Sequence, residues 1–61
     1  MSLEYEMIGE LKRNGIIDNS RAEILRMDVE EGVPLRNACI ERRYTTPETY
    51  ATVLSFLTGV P

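Results

Sequence analysis

The basic and aromatic residues best suited to bind a partner lie close together in this sequence. Three arginines and one tyrosine fall on or just after the third predicted helix: Arg36, Arg42, Arg43 and Tyr44. Both residue types are enriched at interface hot spots, because each combines a large contact area with directional hydrogen bonding. Arginines also pair with carboxylates and phosphates. We therefore expect a partner-binding surface here, with ordinary solvent exposure as the alternative.

The carboxylates and the single cysteine do not form a catalytic pattern. Glu4, Glu6 and Glu10 share the first predicted helix, whereas general acid–base catalysis needs a desolvated cleft. Cys39 falls on a predicted core face, where a thiol behaves as a small apolar group, and the chain has no histidine to activate it. A zinc site would have to use carboxylates alone. We expect a non-enzymatic protein with no metal and no cofactor.

Acidic residues crowd the predicted end of the second helix, at Asp28, Glu30 and Glu31. Negative charge is unfavourable there, because it lies next to the negative end of the helix dipole. Either these residues form a plain solvated surface or they contact a partner.

Composition and charge narrow the class of protein. Apolar residues make up 43% of the chain and charged residues 28%, which is close to the globular average. Ten acidic and seven basic residues give a net charge of -3, which disfavours nucleic acid as a partner. The chain has no run long enough to span a membrane and no signal-peptide pattern, so we expect a cytoplasmic protein without membrane insertion.

The length of 61 residues allows one domain, residues 1–61, with a small core. A domain of this size buries too little surface to be very stable. A partner, a second copy of the chain or a larger parent chain would supply the remaining stability.

Apolar periodicity predicts four short helices, near residues 3–14, 20–31, 34–43 and 47–58. Gly15, Gly32 and Gly59 are the predicted stops. We expect an all-α fold, a small bundle of four short helices arranged as two helix-turn-helix units. The residues expected in its core are Ile8, Leu11, Ile17, Leu25, Leu35, Cys39, Val53, Leu54 and Leu57.

Side chains that can cap a helix mark the predicted helix starts. Ser20 is followed three residues later by a glutamate, which is the pattern of a capping box. Pro34 suits the first turn of the third helix, since its missing N–H would have no partner there. Thr45 or Thr46 caps the fourth helix, with Pro47 at its first position.

The sequence contains an approximate internal repeat with an offset of 28 positions. At that offset the segment Gly15-Ile16-Ile17-Asp18 aligns with Arg43-Tyr44-Thr45-Thr46. The aligned apolar pairs are Met7 with Leu35, Leu11 with Cys39, Leu25 with Val53, and Val29 with Leu57. The pattern of helix, short apolar turn and capped helix therefore occurs twice.

Residues 32–61, GVPLRNACIERRYTTPETYATVLSFLTGVP, resemble the N-terminal, MshEN-type domain of type II secretion and type IV pilus assembly ATPases. Residues 6–25, EMIGELKRNGIIDNSRAEIL, resemble the preceding copy of the same unit. The resemblance implies a module that docks the ATPase onto a cytoplasmic partner of the inner-membrane platform. No P-loop motif is present, so the chain would be a fragment, a truncated homologue or a free-standing relative.

Some members of that family bind cyclic di-GMP through paired R-L-G-x-x-L motifs. This sequence departs from the motif in both copies, with Pro34-Leu35-Arg36 in the second and Glu6-Met7-Ile8 in the first. A cyclic di-GMP sensor is thus the second alternative function, and we do not expect the nucleotide to bind.

The first alternative is a helix-turn-helix DNA-binding regulator. The second helix, the turn at Gly32 and the third helix have suitable proportions, and Arg36, Asn37 and Arg42 would reach the base edges. Pro34 and the acidic balance of the chain oppose this interpretation.

Overall fold

The computed structural model describes residues 2–59, and these residues form four α-helices joined by short connections. The helices are α1 (Leu3–Arg13), α2 (Asn19–Glu30), α3 (Leu35–Glu41) and α4 (Pro47–Thr58). Residues 2–59 contain no strand. The predicted all-helical fold of four short helices is therefore confirmed. Met1 and the terminal Val60 and Pro61, which belong to the stretch quoted for the family resemblance, lie outside the described residues.

Each helix packs against two others around one core. Helix α1 contacts α2 and α4, while α3 contacts α2 and, less extensively, α4. Most of the predicted core residues are buried: Ile8, Leu11, Ile17, Leu25, Leu35, Cys39 and Val53. Leu54 and Leu57 are only partly buried, because α4 turns Tyr50 and Val53 towards the centre and leaves these two leucines at the flank. Four further residues join the core: Met7, Ala22, Ala38 and Tyr50.

Helix α2 begins earlier than its capping pattern predicts. The N-cap is Asp18, whose Oδ1 accepts a hydrogen bond from the backbone N–H of Arg21 at 2.9 Å. Ser20 lies inside the first turn and is exposed, so the predicted capping box is wrong. The physical reason is that a carboxylate at the N-cap both accepts the hydrogen bond and complements the positive end of the helix dipole.

Helix α4 begins as predicted. Thr46 is its N-cap, the Thr46 Oγ1 accepts a hydrogen bond from the backbone N–H of Thr49 at 3.2 Å, and Pro47 occupies the first helical position. Thr45 is not the cap. Its hydroxyl donates instead to the carbonyl of Thr46.

Helix α3 is shorter at both ends than predicted. Pro34 has an extended ψ of 133° and occupies the N-cap position instead of the first turn, so the helix starts at Leu35. At the other end Arg42 is the C-cap and Arg43 has a φ of 61°, which no right-handed helix allows. The predicted glycine stops hold for the other helices, since Gly15, Gly32 and Gly59 all have positive φ.

Candidate functional site

The sequence repeat is visible in the way α1 and α3 end. After α1, the N–H of Gly15 donates to the carbonyl of Lys12, and the N–H of Ile16 donates to the carbonyl of Leu11. After α3, Arg43 donates to Ile40 and Tyr44 donates to Cys39 in the same way. Each of the four residues in the first turn lies 28 positions before its counterpart in the second turn. Both turns are Schellman motifs, as is the turn after α2 at Gly32. The turns after α1 and α3 also share the helix that follows, which is capped by an equivalent residue, Asp18 or Thr46.

The two turns differ at the residue that holds the left-handed conformation. Gly15 has a φ of 75° at the end of α1, and Arg43 has a φ of 61° at the end of α3. Glycine takes this conformation without steric cost, whereas a residue with a Cβ pays about 1 kcal/mol or more for it. Among residues 2–59, Arg43 is the only residue other than glycine that has a positive φ. Local strain of this kind often accompanies a functional surface.

A groove of about 720 Å³ lies between the two turns. Its floor and walls come from the Gly15 turn, from the end of α3 and from the first turn of α4. The lining residues are Gly15, Ile16, Ile40, Arg43, Tyr44, Thr45, Thr46, Pro47 and Thr49. Arg43 contributes the charged group of this lining, and the other side chains are aliphatic, aromatic or hydroxylic.

Tyr44 connects the groove to the core and to a second arginine. The tyrosine is half-buried and packs against the core cluster. The guanidinium carbon of Arg21 lies 4.8 Å from the centroid of the Tyr44 ring, which is the geometry of a cation–π contact. Arg21 therefore places a positive charge over an aromatic ring that lines the groove together with Arg43.

Arg42 does not line this groove, and it pairs with an acid of α2. Its Nε donates to Asp28 Oδ2 at 2.8 Å, and its second amino group donates to Asp28 Oδ1 at 3.0 Å. Asp28 is buried, and the hydrogen bond from Arg42 lowers its pKa below the usual value. The same hydrogen bond, with a smaller contribution from Tyr44, raises the pKa of Arg42. The pair joins the end of α2 to the end of α3.

The four residues predicted to bind a partner are thus divided by the fold. Arg43 and Tyr44 lie together at the groove. Arg36 is exposed in the first turn of α3, at the opposite end of that helix from Arg43, and Arg42 is held by Asp28. Arg21 was not predicted, because its contact with Tyr44 depends on how α2 packs beside the turn after α3.

The acidic end of α2 has a structural explanation for one of its three residues. Asp28 is paired with Arg42, whose charge offsets the unfavourable position at the end of a helix. Glu30 and Glu31 are exposed.

Cys39 and Tyr50 are core residues with raised pKa values. Burial raises the pKa of the Cys39 thiol to about 11, with a smaller effect from the charge of Asp28. Burial also raises the pKa of the Tyr50 hydroxyl to about 12, with smaller contributions from neighbouring charges. Both groups stay protonated and unreactive near neutral pH. This agrees with the predicted core position of Cys39.

Two further properties concern the described part of the chain. Within residues 2–59, no group of three or more Cys, Asp or Glu side chains is placed to hold a metal ion. The described helices also include none that combines the length and apolar composition needed to cross a membrane.

Some of the positions that align with the nucleotide-binding motif of the resembled family are buried in this fold, and others are exposed. Met7 and Leu35, which align with the motif leucine, are both only 1% exposed. The following positions differ, since Ile8 is buried in the core and Arg36 is exposed. Comparison with protein-family models, with curated proteins and with solved structures finds no match to this chain.

Proposed function

We propose that this chain is a cytoplasmic, non-enzymatic docking module that binds another protein through the groove between its two turns. The resemblance described above suggests the setting, in which a secretion or pilus assembly ATPase is attached to a cytoplasmic partner of the inner-membrane platform. The module would act as part of a larger chain or assembly, and a homo-oligomer is one form of such an assembly.

The observation that carries the proposal is the position of Arg43. This arginine lines a groove of about 720 Å³ while holding a left-handed conformation that glycine holds in the equivalent turn. Tyr44 lines the same groove and carries Arg21 over its ring, and arginine and tyrosine are among the residue types that contribute most at protein interfaces. Binding instead of catalysis is also supported by the titratable groups with shifted pKa values. They lie either in the Asp28–Arg42 pair or in the core.

The DNA-binding alternative gains less from the fold. Of the residues that would reach base edges, Arg42 has its guanidinium hydrogen-bonded to Asp28. Asn37 and Arg36 are exposed, but the acids Glu30 and Glu31 lie at the end of the helix that would approach the phosphates. The observations therefore favour a protein partner.

Photocrosslinking in the source cell tests the proposal. A photoreactive amino acid at Thr45 places the reactive group in the groove, and the same amino acid at exposed Glu30 is the matched control at the acidic end of α2. We expect a protein to be crosslinked from Thr45 and not from Glu30, and mass spectrometry to identify it as a platform component. Crosslinks from Glu30 alone would move the docking surface to the end of α2. Crosslinks to nucleic acid would favour the DNA-binding alternative.

A further inference from the structure

We propose that the groove binds an acidic segment of the partner protein, with a carboxylate of that segment paired to Arg43. This inference rests on the proposed docking function and adds the chemical class of the ligand.

The first argument is charge complementarity. The chain carries ten acidic and seven basic residues, yet the charge in the groove lining is the positive one of Arg43. Arg21 holds a further positive charge over the ring of Tyr44, which lines the same groove. A carboxylate fits such a position because a guanidinium offers it two parallel hydrogen bonds.

The second argument is the availability of Arg43 compared with Arg42. Arg42 already has a carboxylate partner, Asp28, on which two of its nitrogens converge. One of the two neighbouring arginines is therefore paired with a carboxylate within the chain, whereas the other is exposed at the groove. An incoming acid would do for Arg43 what Asp28 does for Arg42.

The third argument is the shape and chemistry of the remaining lining. Ile16, Ile40 and Pro47 offer apolar contacts beside the arginine, and the Tyr44 ring offers an aromatic one. The groove is open to solvent, and its volume of about 720 Å³ gives room for a few side chains of a partner. The groove therefore fits an acidic residue next to an aliphatic one better than a run of acids alone.

A displayed library of random peptides, selected on the purified protein, tests this inference. We expect the selected peptides to be enriched in Asp and Glu next to aliphatic residues. A selected peptide should bind at least about tenfold more weakly to Arg43→Gly, because it loses a charge-assisted pair, while Arg43→Lys should retain part of the affinity. Arg43→Gly also relieves the left-handed strain, so we expect a Tm at or above that of the parent, and a Tm measurement separates loss of binding from loss of folding.

A second variant, Thr45→Trp, fills the groove without changing its charge and separates the possible failures. Selected peptides without an acidic excess that still need an open groove would overturn the acidic class and leave the docking proposal standing. Peptides that bind the parent, Arg43→Gly and Thr45→Trp equally would overturn both proposals. A selection that enriches no peptide would overturn the acidic-segment inference.

Discussion

The carboxylate of Glu4 caps a helix that begins 31 residues later, by accepting a hydrogen bond from the backbone N–H of Leu35 at 3.0 Å. Helix α3 has no side-chain cap of its own, because Pro34 occupies its N-cap position. Free N–H groups at a helix start are costly when they are removed from water. Helix α1 therefore completes α3, although the two helices belong to different copies of the repeat.

Substitution of Glu4 should destabilise the fold. We expect Glu4→Ala to lower the free energy of unfolding by about 1 kcal/mol, as loss of an N-cap does, and Glu4→Gln to have a smaller effect because it keeps an acceptor oxygen. Glu6→Ala is the matched control, since Glu6 is an exposed acid in the same first turn. Urea denaturation of the three variants measures the difference, and equal losses for Glu4→Ala and Glu6→Ala would contradict it.

The pair of Asp28 and Arg42 should matter for folding more than exposed arginines do. Arg42→Ala leaves the buried Asp28 carboxylate without its partner, so we expect a larger fall in Tm than for Arg36→Ala, which removes the same charge from an exposed site. A combined substitution of Arg36, Arg42 and Arg43 would therefore mix an effect on folding with an effect on binding.

The same pair predicts how stability depends on pH. The folded pKa of Asp28 is lowered, so its contribution is complete above the unfolded value of about 3.9 and is lost as the pH falls through the folded pKa. Asp28→Asn does not titrate, so its stability should fall less than that of the parent across this acidic range. Identical acid profiles for the two proteins would contradict the assignment.

The Schellman turns after α1 and α3 should respond to substitution with opposite signs. Gly15→Ala places a Cβ on a left-handed residue and should lower the free energy of unfolding by about 1 kcal/mol, although no atom lies within 4 Å of that Cβ. Arg43→Gly should raise it by about 0.5–1 kcal/mol, because glycine relieves the same strain. Thermal unfolding compares the two, and a destabilised Arg43→Gly would show that the Arg43 side chain supports the fold itself.

Truncation of a leucine to alanine should lower the stability more on α2 than on α4. Leu25 is 0% exposed, and Leu25→Ala should cost roughly 2–5 kcal/mol, enough to unfold much of so small a domain. Leu54 is only partly buried, so Leu54→Ala should cost less, roughly 1–2 kcal/mol. Denaturation by urea ranks the two, and the reverse order would place the centre of the core nearer to α4.

Alkaline conditions should destabilise the protein through Cys39. The folded pKa of about 11 lies above the unfolded value of about 8.5, so the unfolded chain releases its proton first. Stability should therefore fall by up to about 1.4 kcal/mol per pH unit between these two values. Cys39→Ala should show a shallower fall over the same range. Rapid labelling of the thiol at pH 8 without unfolding would contradict its burial.

The sequence alone determined the features that depend on neighbouring residues. Apolar periodicity located four helices. The threonine before α4, the proline at its first position and the glycines at 15 and 32 marked helix ends that the structure confirms. The repeat offset also aligned two turns that share the same hydrogen bonds. These signals act within one or two helical turns, so the order of residues is enough to read them.

Only the tertiary structure decided which distant groups meet. The partners Glu4 with Leu35, Asp28 with Arg42, and Arg21 with Tyr44 join different helices or turns. Their contacts depend on how the helices pack, which periodicity does not specify. The same dependence divided the predicted arginine cluster, because the direction of a side chain after a helix end follows from the backbone turn there. In the fold, Arg43 lies at the groove and its neighbour Arg42 pairs with the buried Asp28.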